Sequence, residues 1–187
     1  MKKKIIITGG LGYIGTELCK LYSGVSWHHN IVVIDNRFIS ERVNQIRNWN
    51  MEFVQGDILD KELIKKYCSE ADIVHHLAGV TSVPRTKSEA SGEQDKKIRE
   101  VGEKGTQNIL DVISNNCKII FPSTHVVYEG IDEIKTNIKE NETTKPVLSY
   151  STSKAVNEDQ LKKSGKNFVI LRLGSVYGYS TDSMRID

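Results

Sequence analysis

Tyr150 and Lys154 stand at i and i+4 in Tyr150-Ser151-Thr152-Ser153-Lys154, a spacing that puts both on one face of a helix. An ammonium beside a phenol favours the phenolate and lowers its pKa, which makes a general base able to take a proton from a substrate hydroxyl. Ser123-Thr124 closes the preceding apolar run, where a hydroxyl could hydrogen-bond the same substrate oxygen. Oxidation of the carbon that bears the hydroxyl would also need a hydride acceptor, and the start of the chain supplies a place for one. Ile5-Ile6-Ile7 leads into Thr8-Gly9-Gly10-Leu11-Gly12-Tyr13-Ile14-Gly15, and an amphipathic segment with Ile14, Leu18 and Leu21 on one face follows.

Strand, glycine turn and helix N-terminus in that order are what a dinucleotide site requires. Gly9 lets the chain turn off the strand, Gly12 lets the backbone approach a pyrophosphate, and Gly15 lets the helix pack closely on the sheet. The amides of the first helical turn, Tyr13 and Ile14 among them, and the helix dipole favour phosphate charge. Asp35 closes the second apolar run about 20 residues beyond Gly15, where a carboxylate can accept both hydroxyls of an adenosine ribose. Its charge repels a 2′-phosphate, which favours NAD over NADP. Arg37 works against that preference, because an arginine can pair with such a phosphate. Gly56-Asp57-Ile58, after the third run, is placed to flank the adenine.

These residues depend on elements that the pattern predicts along the whole chain. Strands are expected at 4–8, 31–34, 51–54, 73–77, 118–121 and 168–173, and helices at 12–22, 40–48, 59–68, 94–114 and 149–163. Strands that read as continuous apolar runs between helices mean a parallel sheet covered on both faces. The expected fold is α/β, a doubly wound, mostly parallel Rossmann-type sheet of about six strands with helices on both faces. After the last strand, 174–187 is polar and shows no clear element. Either the chain is a fragment, or a partner completes the site.

The 187 residues suffice for one domain with a core, and a formal charge of +2 implies neither nucleic acid nor an anionic membrane as partner. The Ile-rich run after Lys2-Lys3-Lys4 is too short for a signal peptide or a membrane span. Cys19, Cys68 and Cys117 are odd in number and lie in or beside apolar patterns. They read as reduced thiols of a cytoplasmic protein. His28-His29 and His75-His76 lack the companions of a metal cluster, so no metal is expected.

The chain resembles the extended short-chain dehydrogenase/reductases, and among them the NAD-dependent nucleotide-sugar epimerases and dehydratases. The pieces that carry the resemblance are 8–15, Asp35-Asn36, Gly56-Asp57-Ile58, His76-Leu77-Ala78-Gly79, Ser82-Val83-Pro84, Gly105-Thr106-Gln107-Asn108-Ile109-Leu110, 121–128, 150–154 and 172–178. The resemblance implies Tyr150 as acid/base, Lys154 as its pKa partner and a ribose ligand, and Thr124 as the hydroxyl that orients substrate. It also implies that Leu77, Ala78 and Gly79 line the cofactor, beside Asn36, Arg37, Asp57 and Ile58, and that Ser82 faces the sugar. The implied activity is transient C4-type oxidation and re-reduction of a nucleotide-linked sugar with NAD. A homodimer is implied through the helices around 94–114 and 149–163, with Val156 and Leu161 as apolar surface. An NADPH-dependent sugar or carbonyl reductase, and a non-catalytic dinucleotide-binding module or inactive fragment, are the alternatives.

The departures from that pattern matter as well. His125-Val126 stand where 4,6-dehydratases of this family carry an Asp-Glu pair, which lowers dehydration on the list. Gly102 takes the place of a frequent asparagine, and Glu129 that of a glycine. By the same resemblance 1–178 is the NAD-binding domain, and 179–187 is a tail where a substrate domain, absent here, would begin.

Overall fold

All six apolar runs join one sheet. In the computed structural model, which describes residues 2–81, 92–179 and 184–185, β1 (Lys4–Thr8), β2 (Asn30–Asp35), β3 (Glu52–Gln55), β4 (Ile73–His76), β5 (Lys118–Thr124) and β6 (Asn167–Leu173) lie in the order β3-β2-β1-β4-β5-β6. Every pairing in it is parallel. The helices are α1 (Tyr13–Ser23), α2 (Ser40–Asn48), α3 (Lys61–Cys68), α4 (Gly92–Arg99), α5 (Gly105–Val112) and α6 (Ser149–Lys163).

Alternation along the strands divides the core in two. Ile5, Ile7, Ile31 and Val33 pack with Cys19, Val43 and Ile46 of α1 and α2. Ile6, Val32, Ile34 and Val74 pack on the other face with Ile64, Ile109 and Leu161 of α3, α5 and α6. Because both faces are covered, both side-chain sets are apolar, which is why the strands read as unbroken runs. The sequence reverses direction between β1 and β4, and the crevice at their carboxyl ends is where open α/β sheets bind ligands.

Three details differ from the expectations. The first is α1, which turns Gly15, Thr16 and Cys19 to the sheet and leaves Leu21 78% exposed and Ile14 37% exposed. The glycine turn sets this rotation: a Cβ on Gly15 would lie 2.3 Å from the Gly9 carbonyl oxygen and 2.7 Å from Gly10 Cα. Close backbone approach therefore outweighs the apolar stripe. The second is the helix expected at 94–114, which is α4 and α5 joined by a π turn, Glu100–Lys104. Its widened backbone is satisfied from α6, where Asn157 donates to the Gly102 carbonyl (3.0 Å) and Gln160 to that of Glu103 (3.0 Å). The third is the polar tail, where β7 (Gly178–Tyr179) and β8 (Met184–Arg185) form a short antiparallel ladder. Among the described residues no helix is long and apolar enough to cross a membrane.

Candidate active site

The glycine loop is pinned from several sides. Gly9 has φ +69°, a left-handed conformation that suits glycine, and a Cβ there would sit 2.7 Å from both N and Cα of Ala78. Gly10, which the spacing left without a role, is the residue that brings the turn onto the sheet: its Cβ would lie 2.2 Å from Val33 Cγ1. Leu11 is fully buried. Its N–H donates to Asp35 Oδ2 at 2.9 Å, and its carbonyl accepts from Arg42 of α2. Gly12 occupies the N-cap position of α1, and no side chain caps that helix. An external anion is the acceptor such a first turn suits. A dinucleotide pyrophosphate therefore suits this glycine-rich loop.

Asp35 is buried at the end of β2, and its two oxygens are already engaged inside the chain. Besides Leu11, it accepts the Arg37 backbone N–H at 3.0 Å and pairs with Arg37 Nε at 3.3 Å. A carboxylate has capacity for further bonds, so Asp35 can still meet a ribose. The Arg37 guanidinium pairs with that carboxylate through Nε, while its side chain stays 46% exposed. Asn36 donates to Asp57 at 3.0 Å, which joins the ends of β2 and β3. Ile58 sends its side chain into the core, and its carbonyl accepts from Asn108 of α5 at 3.0 Å. On the β4 side the Ala78 N–H donates to Thr8 Oγ1 at 3.2 Å and the Leu77 N–H to the Thr8 carbonyl at 3.1 Å, while Gly79 is exposed. The Tyr13 hydroxyl donates to the Gly178 carbonyl at 2.6 Å. Ser82 lies outside the described residues.

The second half of the site is a small crevice at the carboxyl end of β4 and β5. It brings Tyr150 and Lys154 together with His76, Phe121 and Gly102. Lys154 Nζ lies 4.4 Å from the centre of the Phe121 ring and 5.9 Å from that of Tyr150, and donates to the Pro122 carbonyl at 2.8 Å. Burial pushes its pKa down to about 8. His76 bridges Thr8 Oγ1 and Thr106 Oγ1 at 3.0 Å each. Burial, with Lys154 close by, pushes it down to about 3, so it stays neutral.

The two hydroxyls at the end of β5 part company. Ser123 points to α6 and donates to Glu158 at 2.7 Å. Thr124 lies outside the crevice lining, and its Oγ1 accepts the Val126 N–H at 3.3 Å, capping the 3-10 turn His125–Tyr128. Glu158 is a further residue of the α6 face that the i, i+4 spacing could indicate. It continues the Tyr150–Lys154 stripe at i+8. Buried beneath it, Glu158 takes both Arg172 Nε (2.9 Å) and Nη2 (2.6 Å). Burial opposes its charge, but Arg172, Ser123 and Lys162 hold its pKa below the usual carboxylate range. Arg172 also donates to the Tyr128 hydroxyl, so β6, α6 and the turn after β5 are fixed together behind the crevice.

Comparison with known proteins agrees with this geometry. The model of the NAD dependent epimerase/dehydratase family matches residues 5–186. The chain belongs to that family. The dTDP-D-glucose 4,6-dehydratase of Dictyostelium discoideum is 31% identical, over 94% of this chain and 44% of its own. The CDP-paratose 2-epimerase of Salmonella typhi is 32% identical, over 94% of this chain and 58% of its own. Among solved structures, the Bordetella bronchiseptica enzyme WbmH in complex with NAD+ superposes with a TM-score of 0.78 at 27% identity, covering 94% of this chain and 57% of that one. The chain thus spans about half the length of the curated relatives it matches.

Proposed function

We propose that residues 1–178 are the NAD-binding domain of an NAD-dependent nucleotide-sugar epimerase, with Tyr150 as acid/base. The observation that carries this reading is the placement of Tyr150 and a half-buried, depressed-pKa Lys154 in one crevice at the carboxyl ends of β4 and β5. The glycine-rich loop that suits a pyrophosphate stands at the carboxyl end of β1, in the same sheet.

Gly9, Gly12 and Gly15 shape the pyrophosphate cradle, with the amides of Tyr13 and Ile14 at its helix end. Asp35 takes the ribose, Asn36 and Asp57 the adenine side, and Leu77, Ala78 and Gly79 the inner wall. NAD is preferred to NADP because the buried Asp35 carboxylate, on which Arg37 Nε leans, repels a further phosphate. When bound, NAD supplies the reversible hydride exchange that inversion of a carbinol carbon needs.

The chain's own residues manage the proton. The Lys154 ammonium stabilises the Tyr150 phenolate, Tyr150 takes the proton of the sugar hydroxyl, and the same phenol returns it after the sugar has turned. Thr124, whose Oγ1 accepts the Val126 N–H but keeps its own proton to donate, orients the substrate oxygen together with Ser82. Neutral His76 holds β1, β4 and α5 in register and adds no competing positive charge. The relatives named for nucleotide-linked sugars support that substrate class.

Two copies pair through the outer faces of α4, α5 and α6. Leu161 takes no part in that contact, since it is buried in the core, which leaves the half-buried Val156. The three cysteines are free and buried, which suits a reducing cytoplasm.

Tyr150→Phe tests the reading. It is expected to lower epimerisation of a nucleotide sugar by at least about 100-fold and to leave NAD retention in native mass spectrometry unchanged. NADP in place of retained NAD, or net NADH formed during turnover, would overturn it.

A further inference from the structure

Glu129 follows the 3-10 turn at the mouth of β5, and its side chain crosses to the helix that carries Tyr150. One oxygen, Oε1, accepts the backbone N–H groups of Val147 (2.8 Å) and Leu148 (2.7 Å) and the hydroxyl of Ser151. Helix α6 has no cap of its own: Leu148 holds the N-cap position, and no side chain there accepts from the first turn. Beside these bonds the Gly130 N–H donates to the Lys145 carbonyl and the Lys145 N–H to that of Val127, each at 2.8 Å. Residues 127–130 and 145–148 therefore close as a stem under the polar excursion between them. Gly130 keeps that stem tight, since a Cβ there would lie 2.7 Å from the Lys145 carbonyl oxygen. Glu129 ties the stem to the helix.

We infer that Glu129 is a positioning residue for Tyr150, fixing the rotation of the first turn of α6 and placing a negative charge at the start of the helix that carries the phenol. Tyr150 lies between Leu148 and Ser151, and both are held by the same oxygen. One turn further on, Lys154 is anchored to the Pro122 carbonyl. The phenol is thus set by an anchored anion at the helix start and an anchored cation one turn down. The titratable groups that line the crevice with Tyr150 are His76 of β4 and Lys154 of α6, while α4 and the π turn contribute Ile98 and Gly102. Burial raises the pKa of Glu129, but the Ser151 hydroxyl and the two amides hold it below the usual range, so it is an anion wherever the phenol titrates. An anion disfavours phenolate. One charge acting through water over about 10 Å shifts a phenol by about 0.3 pH units.

The inference rests on Tyr150 being the acid/base, and its test is independent of turnover. Tyrosine Cζ is labelled with carbon-13 and titrated by NMR in the full chain, with the Tyr150 resonance assigned from Tyr150→Phe. Glu129→Gln keeps a carbonyl oxygen for the two amides and removes the charge. It is expected to lower the Tyr150 midpoint by about 0.3 units with amide exchange at 147–151 unchanged. Glu129→Ala is expected to speed that exchange about tenfold or more, since both amides lose their acceptor. A Tyr150 midpoint unmoved in Glu129→Gln, or exchange unmoved in Glu129→Ala, overturns the inference. Retained turnover in Tyr150→Phe would instead sink the proposed function and leave this titration readable.

Discussion

Replacing the lysine of the site should stabilise the chain while removing its chemistry. Lys154 is half-buried, lies over the Phe121 ring and donates to the Pro122 carbonyl. Burial lowers its pKa from 10.5 to about 8, which corresponds to a penalty of about 3 kcal/mol on the charged form at pH 7. Lys154→Met removes that penalty and gives up one hydrogen bond and one ring contact, together about 1–2 kcal/mol. The net expectation is a gain of about 1–2 kcal/mol, or about 3–6 °C in Tm.

The pH dependence identifies the cause. Between pH 8 and 10.5 the unfolded lysine holds a proton that the folded one has released, so this group's contribution to wild-type stability rises with pH there. The advantage of the methionine variant should therefore shrink by about 1 kcal/mol between pH 7 and 9. The cysteines act in the opposite sense. Burial lifts Cys19 and Cys68 to about 12 and Cys117 to about 11, so the folded state keeps protons that the unfolded state loses from about pH 9. That contribution is common to both proteins and cancels in their difference. Urea unfolding of the two proteins at pH 7, 8 and 9 is the assay. A variant less stable than wild type at pH 7, or a gap that stays constant to pH 9, refutes the reasoning.

Gly9→Ala should cost about 2–5 kcal/mol, because a left-handed backbone is combined with a Cβ pressed on the backbone of Ala78, which cannot rotate away. The urea midpoint reads the cost, and an unchanged midpoint would show that the loop moves freely. Acid should destabilise the chain well above the carboxylate range. Burial depresses His75 to about 4 and His76 to about 3, so the unfolded state binds the extra protons as pH falls below 6.5 and folded stability is lost through that window. By pH 5 the loss is about 2 kcal/mol for each histidine, and unfolding curves that coincide from pH 7 to 5 would contradict it.

What the sequence made legible follows from which physical constraint acts locally. The strands could be read because a sheet buried on both faces makes every strand position apolar, and the i, i+4 stripe of Tyr150 and Lys154 survived folding intact. The buried face of α1 could not be read from Ile14 and Leu21, although Leu18 does pack on the core, since contact of Gly15 with the Gly9–Gly10 turn sets the helix rotation. The π turn was hidden for a related reason. Its bonds to Asn157 and Gln160 come from a helix some 55 residues later, and no local period records them.

The same distinction explains the polar residues. Asp35 and Thr124 could be named from their positions at strand ends. Their present partners, the Leu11 amide with Arg37 and the Val126 amide, depend on turns whose exact path is set by packing. Glu129 is the sharpest case, because a carboxylate in place of a glycine looks like a defect until the helix whose start it holds is seen to lack a cap of its own. The proposed acid/base pair, Tyr150 with Lys154, is ordinary in type. Its surroundings make it particular: Glu158 is held by Arg172 beneath the pair, His76 is kept neutral beside it, and Glu129 is fixed at the start of the helix. Each of those three acts by holding a charge or a proton in place, which is the property that residue spacing alone records least.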